Sequence, residues 1–225
     1  ILGTQNVCEM AKKCDARRVL LVSSGAVYGN QPNDLLLQSE SSPLACDPLQ
    51  PESAYGEGKR VMELIGAILE KEAQIKVISA RCFSFCGPGL PLSGHFAFGN
   101  FIHDAVHKKA ILVKGDGSTV RSYLYGLDMA GWLLITLMRG NSRQAYNIGS
   151  DEPISVLELA NKIQALIAPE KRVIVLGREE PQNRFSNRYV PDINKARELG
   201  CEMWTSLDTG ILSTASYSSL LPVSN

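Results

Sequence analysis

Residues 51–64 read PESAYGEGKRVMEL, and within them Tyr55 and Lys59 stand four positions apart. From Ser53 onward Val61, Leu64, Ile65 and Ile68 recur at spacings of three and four, the period of one helix face, and Ser53 is a candidate N-cap. Such a helix carries Tyr55 in its first turn and Lys59 one turn on, on the same face. An ammonium beneath a phenol favours phenolate and draws the tyrosine pKa down from about 10, which makes a base usable near neutral pH. By itself the pair also fits a surface Tyr and Lys on an amphipathic helix, so its reading depends on what surrounds it.

Upstream, GTQNVCEMAKKCDA (3–16) reads as a helix, and RVLLVSS (18–24) is a short apolar run consistent with a buried parallel strand. That strand delivers Ser23 and Ser24 at its carboxyl end, where open parallel sheets bind ligands. Downstream, KVISARCFSF (76–85) is the next strand, closed by Gly87-Pro88-Gly89. A helix is expected over Phe98 to Lys109, a strand over Ile111 to Val113, and a tight turn at Gly115 to Gly117 before RSYLY (121–125). Asp128 is a candidate cap for a helix running through Arg139, and Ser155 with Glu158 forms a capping box for a helix from Val156 to Ala168. A late strand over Arg172 to Leu176, a short helix over Asp192 to Leu199 ended by Gly200, and a Ser-rich, loosely held tail from Ser213 complete the reading. Strands alternating with helices indicate an α/β fold around a mostly parallel sheet. After about residue 85 the elements shorten, as for a smaller substrate lobe interleaved with the sheet.

With 225 residues, 44% of them apolar, the chain can bury a sizeable core. Lys plus Arg and Asp plus Glu are 23 each, so no net field favours nucleic acid or an anionic membrane. The longest apolar runs, such as MAGWLLITLM (129–138), fall short of the roughly 20 residues that span a bilayer. Six cysteines without CxxC spacing read as reduced thiols of a cytoplasmic protein, and no metal site is expected.

In this context the sequence resembles the extended short-chain dehydrogenase/reductase family, specifically its nucleotide-sugar epimerases and dehydratases. The matching pieces are SSGAVYG (23–29), PESAYGEGK (51–59), RCFSFCGPG (81–89), GDGSTVRSYLYGLDMA (115–130), YNIGSDEPISVLELA (146–160) and DINKARELG (192–200), in family order along nearly the whole chain. The resemblance implies a Rossmann-like parallel sheet lacking its N-terminal strands. Residues 1–90 then form the C-terminal part of the NAD-binding domain, and 91–225 mostly a nucleotide-sugar lobe with segments returning to the sheet. It makes Tyr55 the acid/base, Lys59 its activator and a ligand of the cofactor ribose, and Ser24 the hydroxyl that bonds the reacting sugar oxygen. Ser23, Cys82 and Phe83 fall beside the cofactor, which is NAD, with NADP as the alternative. Ser84, Asn100, Arg121, Arg184 and Arg188 fall on the substrate side, the arginines toward its phosphates. The family usually dimerises through the helices that correspond to 3–16 and 54–72, so a homodimer is implied.

The sequence also departs from the family's pattern. Its 4,6-dehydratases carry an Asp-Glu pair directly after the catalytic Ser or Thr, and its sugar-acid decarboxylases usually keep the Glu; here Gly25 and Ala26 stand there. Neither can move a proton, so a 4-epimerase-like activity is favoured over those two; a one-way keto-sugar reductase is a further alternative, and retention of Ser24, Tyr55 and Lys59 together argues against a non-catalytic nucleotide-binding scaffold. Ser84 and Cys86 replace a frequent Asn and Tyr, which bears on which sugar fits. His95, His103 and His107 have no catalytic partner at a known spacing and read as lobe or surface residues. Finally, no glycine-rich dinucleotide turn occurs. The expectation is that the turn lies upstream of Ile1, and that residues 1–225 alone would be inactive and prone to associate.

Overall fold

The computed structural model describes residues 1–32, 34–92, 94, 96–177 and 188–219. The chain begins with α1 (Leu2–Lys13), β1 (Arg18–Ser24), α2 (Ala54–Ala73) and β2 (Lys76–Cys82). There follow β3 (Phe85–Cys86), α3 (Ala97–His107), β4 (Ala110–Val113), β5 (Val120–Arg121), β6 (Leu124–Tyr125) and α4 (Gly126–Arg139). The remainder is β7 (Gln144–Ile148), β8 (Ile154–Ser155), α5 (Val156–Ile167), β9 (Arg172–Val175), β10 (Arg188–Tyr189), α6 (Asn194–Arg197) and α7 (Leu207–Ser219).

The principal sheet runs β1-β2-β7 with every pairing parallel, in register from Arg18↔Lys76 to Ser24↔Cys82 and from Ile78↔Gln144 to Cys82↔Ile148. Its three carboxyl ends therefore lie level at Ser24, Cys82 and Ile148. One face packs on α4 through Ile78, Ala80, Trp132, Tyr146 and Ile148, all buried. The other face packs on α1 and α2 through Cys8, Leu21, Leu69 and Val77. Full burial of side chains this size contributes roughly 1.5–3 kcal/mol each, which makes the two-sided sheet the main organiser of this half. A second cluster gathers Phe98, Ile102, Ile111, Leu159, Ile163 and Ile211 from α3, β4, α5 and α7. The other strands form small sheets, β10-β5-β8, β3-β6 and β4-β9, of which β3-β6 contributes Cys86 to this cluster and Leu124 to the one on α4.

Several expectations need correction. The apolar set on α2 splits between two faces: Met62, Ile65 and Leu69 pack inward, while Leu64 and Ile68 are exposed. Ser53 makes no capping hydrogen bond, because the chain enters α2 through a 3-10 turn at Pro51–Ser53. Asp128 does not cap α4. It lies buried in the first turn and accepts hydrogen bonds from the Trp204 and Thr205 amides at 3.0 and 2.8 Å and from the Thr205 hydroxyl at 2.9 Å. The strand begun at Lys76 stops at Cys82, where the Phe83 amide donates to Ile148 O, and Phe85–Cys86 pairs instead with β6. Segment 144–148, whose apolar pattern Gln144 and Asn147 interrupt, is the third strand of the sheet. The expected loose tail is a helix as far as Ser219: Ile211, Thr214 and Ser218 form a buried stripe at helical spacing that the serines conceal. The Ser155–Glu158 capping box is present, with both reciprocal bonds made at 3.1 and 2.8 Å.

Candidate active site

At the end of β1 the chain turns at once into a 3-10 turn, Gly25–Tyr28, with Ser24 Oγ accepting from the Ala26 amide at 3.2 Å. The start of α2 presses against this turn. A Cβ on Gly56 would fall 2.6 Å from Ala26 O and collide with Cys46 Sγ, so only glycine lets the helix come this close. Tyr55, the preceding residue, is thereby seated at the rim of the same turn with 61% of its surface exposed. Lys59 Nζ donates to Val22 O at 2.8 Å and stands 5.7 Å from the Tyr55 ring centroid. The ammonium is thus fastened to the strand, and its remaining donors are free to serve the phenol or a ligand hydroxyl.

A cavity of about 2150 Å³ opens over the carboxyl ends of β1 and β2. Ser23, Ser24, Tyr55, Lys59, Cys82, Phe83, Ser84 and Arg121 all line it, so eight of the eleven candidate residues are brought together. The Ser23 hydroxyl is engaged elsewhere, donating to Glu63 Oε1 at 2.6 Å. Asn100 is not in the lining; its side-chain amide donates to Gly94 O at 3.0 Å. Arg188 is likewise outside it, its Nε donating to Leu36 O at 2.7 Å. Arg184 lies outside the described residues.

Arg121 reaches the cavity from β5, its guanidinium 5.8 Å from the Tyr189 ring centroid. Burial lowers its pKa, and the phenols of Tyr123 and Tyr189, rather than a carboxylate, oppose that shift. A cation so placed suits an anionic ligand arriving through the cavity. Beneath the sheet's carboxyl ends, Glu63 of α2 makes a two-pronged bond to Arg81, whose Nε and Nη2 donate at 3.0 and 2.7 Å. Arg81 Nη1 donates on to the Tyr28 phenol, and that phenol to Asn147, both at 2.9 Å. This network braces β1, α2, β2 and β7 under Ser24 and Tyr55.

Sequence reasoning passed over both this brace and Tyr189. The Tyr189 ring lies 4.5 Å from that of Phe83, centroid to centroid, and its phenol reaches the backbone of Gly25, the residue after Ser24. Burial pushes the phenol up to about 12. A Cβ on Gly25 would meet Tyr189 Oη at 2.6 Å and Phe83 Cζ at 2.7 Å. The only linear signal was the neighbouring Arg188, since the separation of 164 positions from Gly25 to Tyr189 hides the contact from any spacing rule.

The profile of the NAD dependent epimerase/dehydratase family matches residues 1–149. The chain belongs to that family. Among curated relatives it is 33% identical over 219 residues to UDP-glucuronic acid decarboxylase 1 of Danio rerio, covering 96% of this chain and 50% of the relative. UDP-glucuronic acid decarboxylase 3 of Arabidopsis thaliana is 34% identical, with 94% of this chain and 60% of the relative covered. The chain therefore spans about half to three-fifths of the length of these relatives. Among solved structures, the UDP-glucose 4-epimerase of Thermotoga maritima with UDP-glucose superposes with a TM-score of 0.84 at 23% identity, over 97% of this chain and 69% of that one. At that identity the likeness establishes the Rossmann-like epimerase fold. In this member of the family, the level carboxyl ends of β1 and β2 form the floor of the cavity.

Proposed function

We propose that this chain is the substrate-side part of an NAD-dependent enzyme that interconverts nucleotide sugars through a keto intermediate, as a 4-epimerase does. The observation that carries the reading is the meeting of Ser24, Tyr55 and Lys59 in one cavity with Arg121, beside two positions, Gly25 and Ala26, that hold no proton-transfer group. Lys59, fixed to Val22 O, and the cavity wall of Cys82 and Phe83 fit the nicotinamide-ribose end of a dinucleotide. The chain holds no glycine-rich turn for the pyrophosphate end. NAD, when bound, supplies the acceptor and then the donor of a hydride.

The protein's own residues do the rest. Lys59 stabilises the Tyr55 phenolate, which takes the proton of the sugar hydroxyl as its carbon is oxidised and returns it when the ketone is reduced. Ser24 Oγ bonds the same oxygen and holds it in line, and Arg121 takes the substrate's phosphates. The same proposal divides the chain at about residue 90, with residues 1–90 on the cofactor side and 91–225 mostly on the sugar-nucleotide side, β7 among the later segments returning to the sheet. A homodimer through α1 and α2 belongs to the same proposal, since both helices expose apolar residues.

The similarity to UDP-glucuronic acid decarboxylases favours a second reading, in which the keto intermediate of a sugar acid loses CO₂. The test is to follow UDP-, dTDP-, CDP- and GDP-sugars and sugar acids by NMR with the full-length gene product. An inverted C4 supports the epimerase, a pentose product with CO₂ the decarboxylase, and loss of the C6 oxygen a dehydratase. Net oxidation of NADH or NADPH selects a reductase, and binding without turnover a scaffold. Tyr55→Phe should lower kcat by about 10²-fold or more while leaving binding unchanged, and undiminished turnover in that variant would remove Tyr55 from the chemistry.

A further inference from the structure

We infer that Glu63 is a positioning residue for the reaction: its bond to the Ser23 hydroxyl fixes the register of α2 on β1, and with it the placement of Tyr55 and Lys59 against Ser24. This rests on the reading above, in which Tyr55 and Ser24 serve the same substrate oxygen.

Tyr55, Lys59 and Glu63 follow one another at intervals of four along α2 and so share one side of the helix. Two of them reach adjacent residues of β1: Lys59 Nζ donates to Val22 O at 2.8 Å, and Glu63 Oε1 accepts from the Ser23 hydroxyl at 2.6 Å. The next residue on the strand is Ser24. Tyr55, one turn earlier on the helix, therefore takes its distance from Ser24 from these two ties. A lysine stem is flexible and by itself sets that distance loosely; a second tie one turn on removes sliding and rotation of the helix start.

Glu63 can act in this way because it is itself held. Its two oxygens accept from Arg81 at 3.0 and 2.7 Å, and Arg81 Nη1 donates at 2.9 Å to the phenol of Tyr28, on the turn that follows Ser24. The side chains of Arg81 and Glu63 are only 18% and 16% exposed. At that burial, desolvation offsets much of what an ion pair adds to stability, whereas its fixed geometry remains. Ser23 lines the cavity, yet its hydroxyl is directed to Glu63. Glu63 transfers no proton to substrate in this scheme; it acts through Ser23 and the strand.

Replacing Glu63 by alanine strands the Arg81 charge and would report on stability first. The decisive variant is therefore Ser23→Ala in the full-length gene product, which cuts the tie to β1 and leaves the Glu63–Arg81 pair whole. The expected result, per mole of folded enzyme, is a fall of about tenfold or more in kcat with KM for the sugar nucleotide unchanged, since a misplacement of about 1 Å costs up to about 10²-fold. A purely structural role would lower the yield of folded enzyme and leave its kcat as it was. Glu63→Gln keeps an oxygen for Ser23 but loosens Arg81, so it should also lower kcat, and the double variant should fall short of the product of the two single effects. A Ser23→Ala enzyme with wild-type kcat, or single effects that multiply, would overturn the proposal. A crystal structure of Ser23→Ala provides a readout that does not depend on turnover: the start of α2 should shift on β1, lengthening the separation of Tyr55 Oη from Ser24 Oγ. If the wild type turns over no nucleotide sugar, the functional reading fails, and an unmoved α2 in that crystal would refute the positioning role independently.

Discussion

Single residues at the carboxyl end of the sheet are governed by what each loses to burial and recovers from partners. Glu40 is half-buried, and its Oε1 accepts the Asn147 amide at 2.7 Å. Burial raises its pKa above the ordinary 4.5, and the Asn147 bond and the Lys195 charge only partly offset the rise. A carboxyl with a raised folded pKa holds its proton more firmly in the fold than in the unfolded chain. Stability therefore falls as pH rises from the ordinary carboxylate value to the raised one, and stays lower beyond it. Glu40→Gln keeps an oxygen for Asn147 and removes the titration, so its Tm should exceed the wild type's at neutral pH and converge with it in acid; equal Tm at every pH would contradict this. At this scale the sequence was informative where the chemistry is local. Tyr55 and Lys59 share one helix turn, and Ser24 ends a readable strand. Tyr189, Glu63 and Arg81 act across chain separations that only the fold closes, and Asp128 showed its type but not its partners at Trp204 and Thr205.

Among elements, α2 bears most of the functional burden, and its start is the critical point. Gly56→Ala would push a methyl group against Ala26 O, a backbone atom that cannot swing aside. The expected outcome is a loss of about 1–3 kcal/mol in urea unfolding together with reduced kcat, because relief of the clash displaces Tyr55. Wild-type stability in that variant would show that the turn yields. Periodicity revealed α2 because its apolar positions are dense, but not its two-faced character, since inward and outward residues differ by one position at Leu64 and Ile65. Strand β7 escaped notice because Gln144 and Asn147 interrupt its apolar pattern, and Asn147 is buried as a structural ligand for Gln38 O and Asp192 O rather than exposed in a loop. Helix α7 escaped for the complementary reason: Thr214 and Ser218 take core-facing positions.

At the scale of the whole molecule, the α/β class and the order of its units followed from the alternation of strands and helices, β4 and β9 included, while the sheets β3-β6 and β10-β5-β8 rest on two-residue strands too short for any pattern to show. At least two apolar faces remain exposed among the described residues. One lies on α1 and α2, where Val7, Met10, Leu64 and Ile68 are 44–61% accessible. The other is on α4, where Leu127, Leu134 and Met138 stand in one stripe beside β1, whose Arg18 side chain bonds Leu137 O and Gly140 O. The first fits self-association about a two-fold axis, which places identical helices against each other. Leu64→Asp should convert a dimer to a monomer in sedimentation with little change in the helix signal by circular dichroism; a dimer that persists would move the interface elsewhere.

The filled space above Gly25 also bears on how such an enzyme can diverge. Installing an acid at position 25 requires that Tyr189 and Phe83 retreat first, yet shrinking either one beforehand opens a void. Each step is harmful until the other has occurred. A side chain at position 25 is therefore admitted only when Tyr189 or Phe83 changes with it, so the three positions are coupled in what substitutions they tolerate.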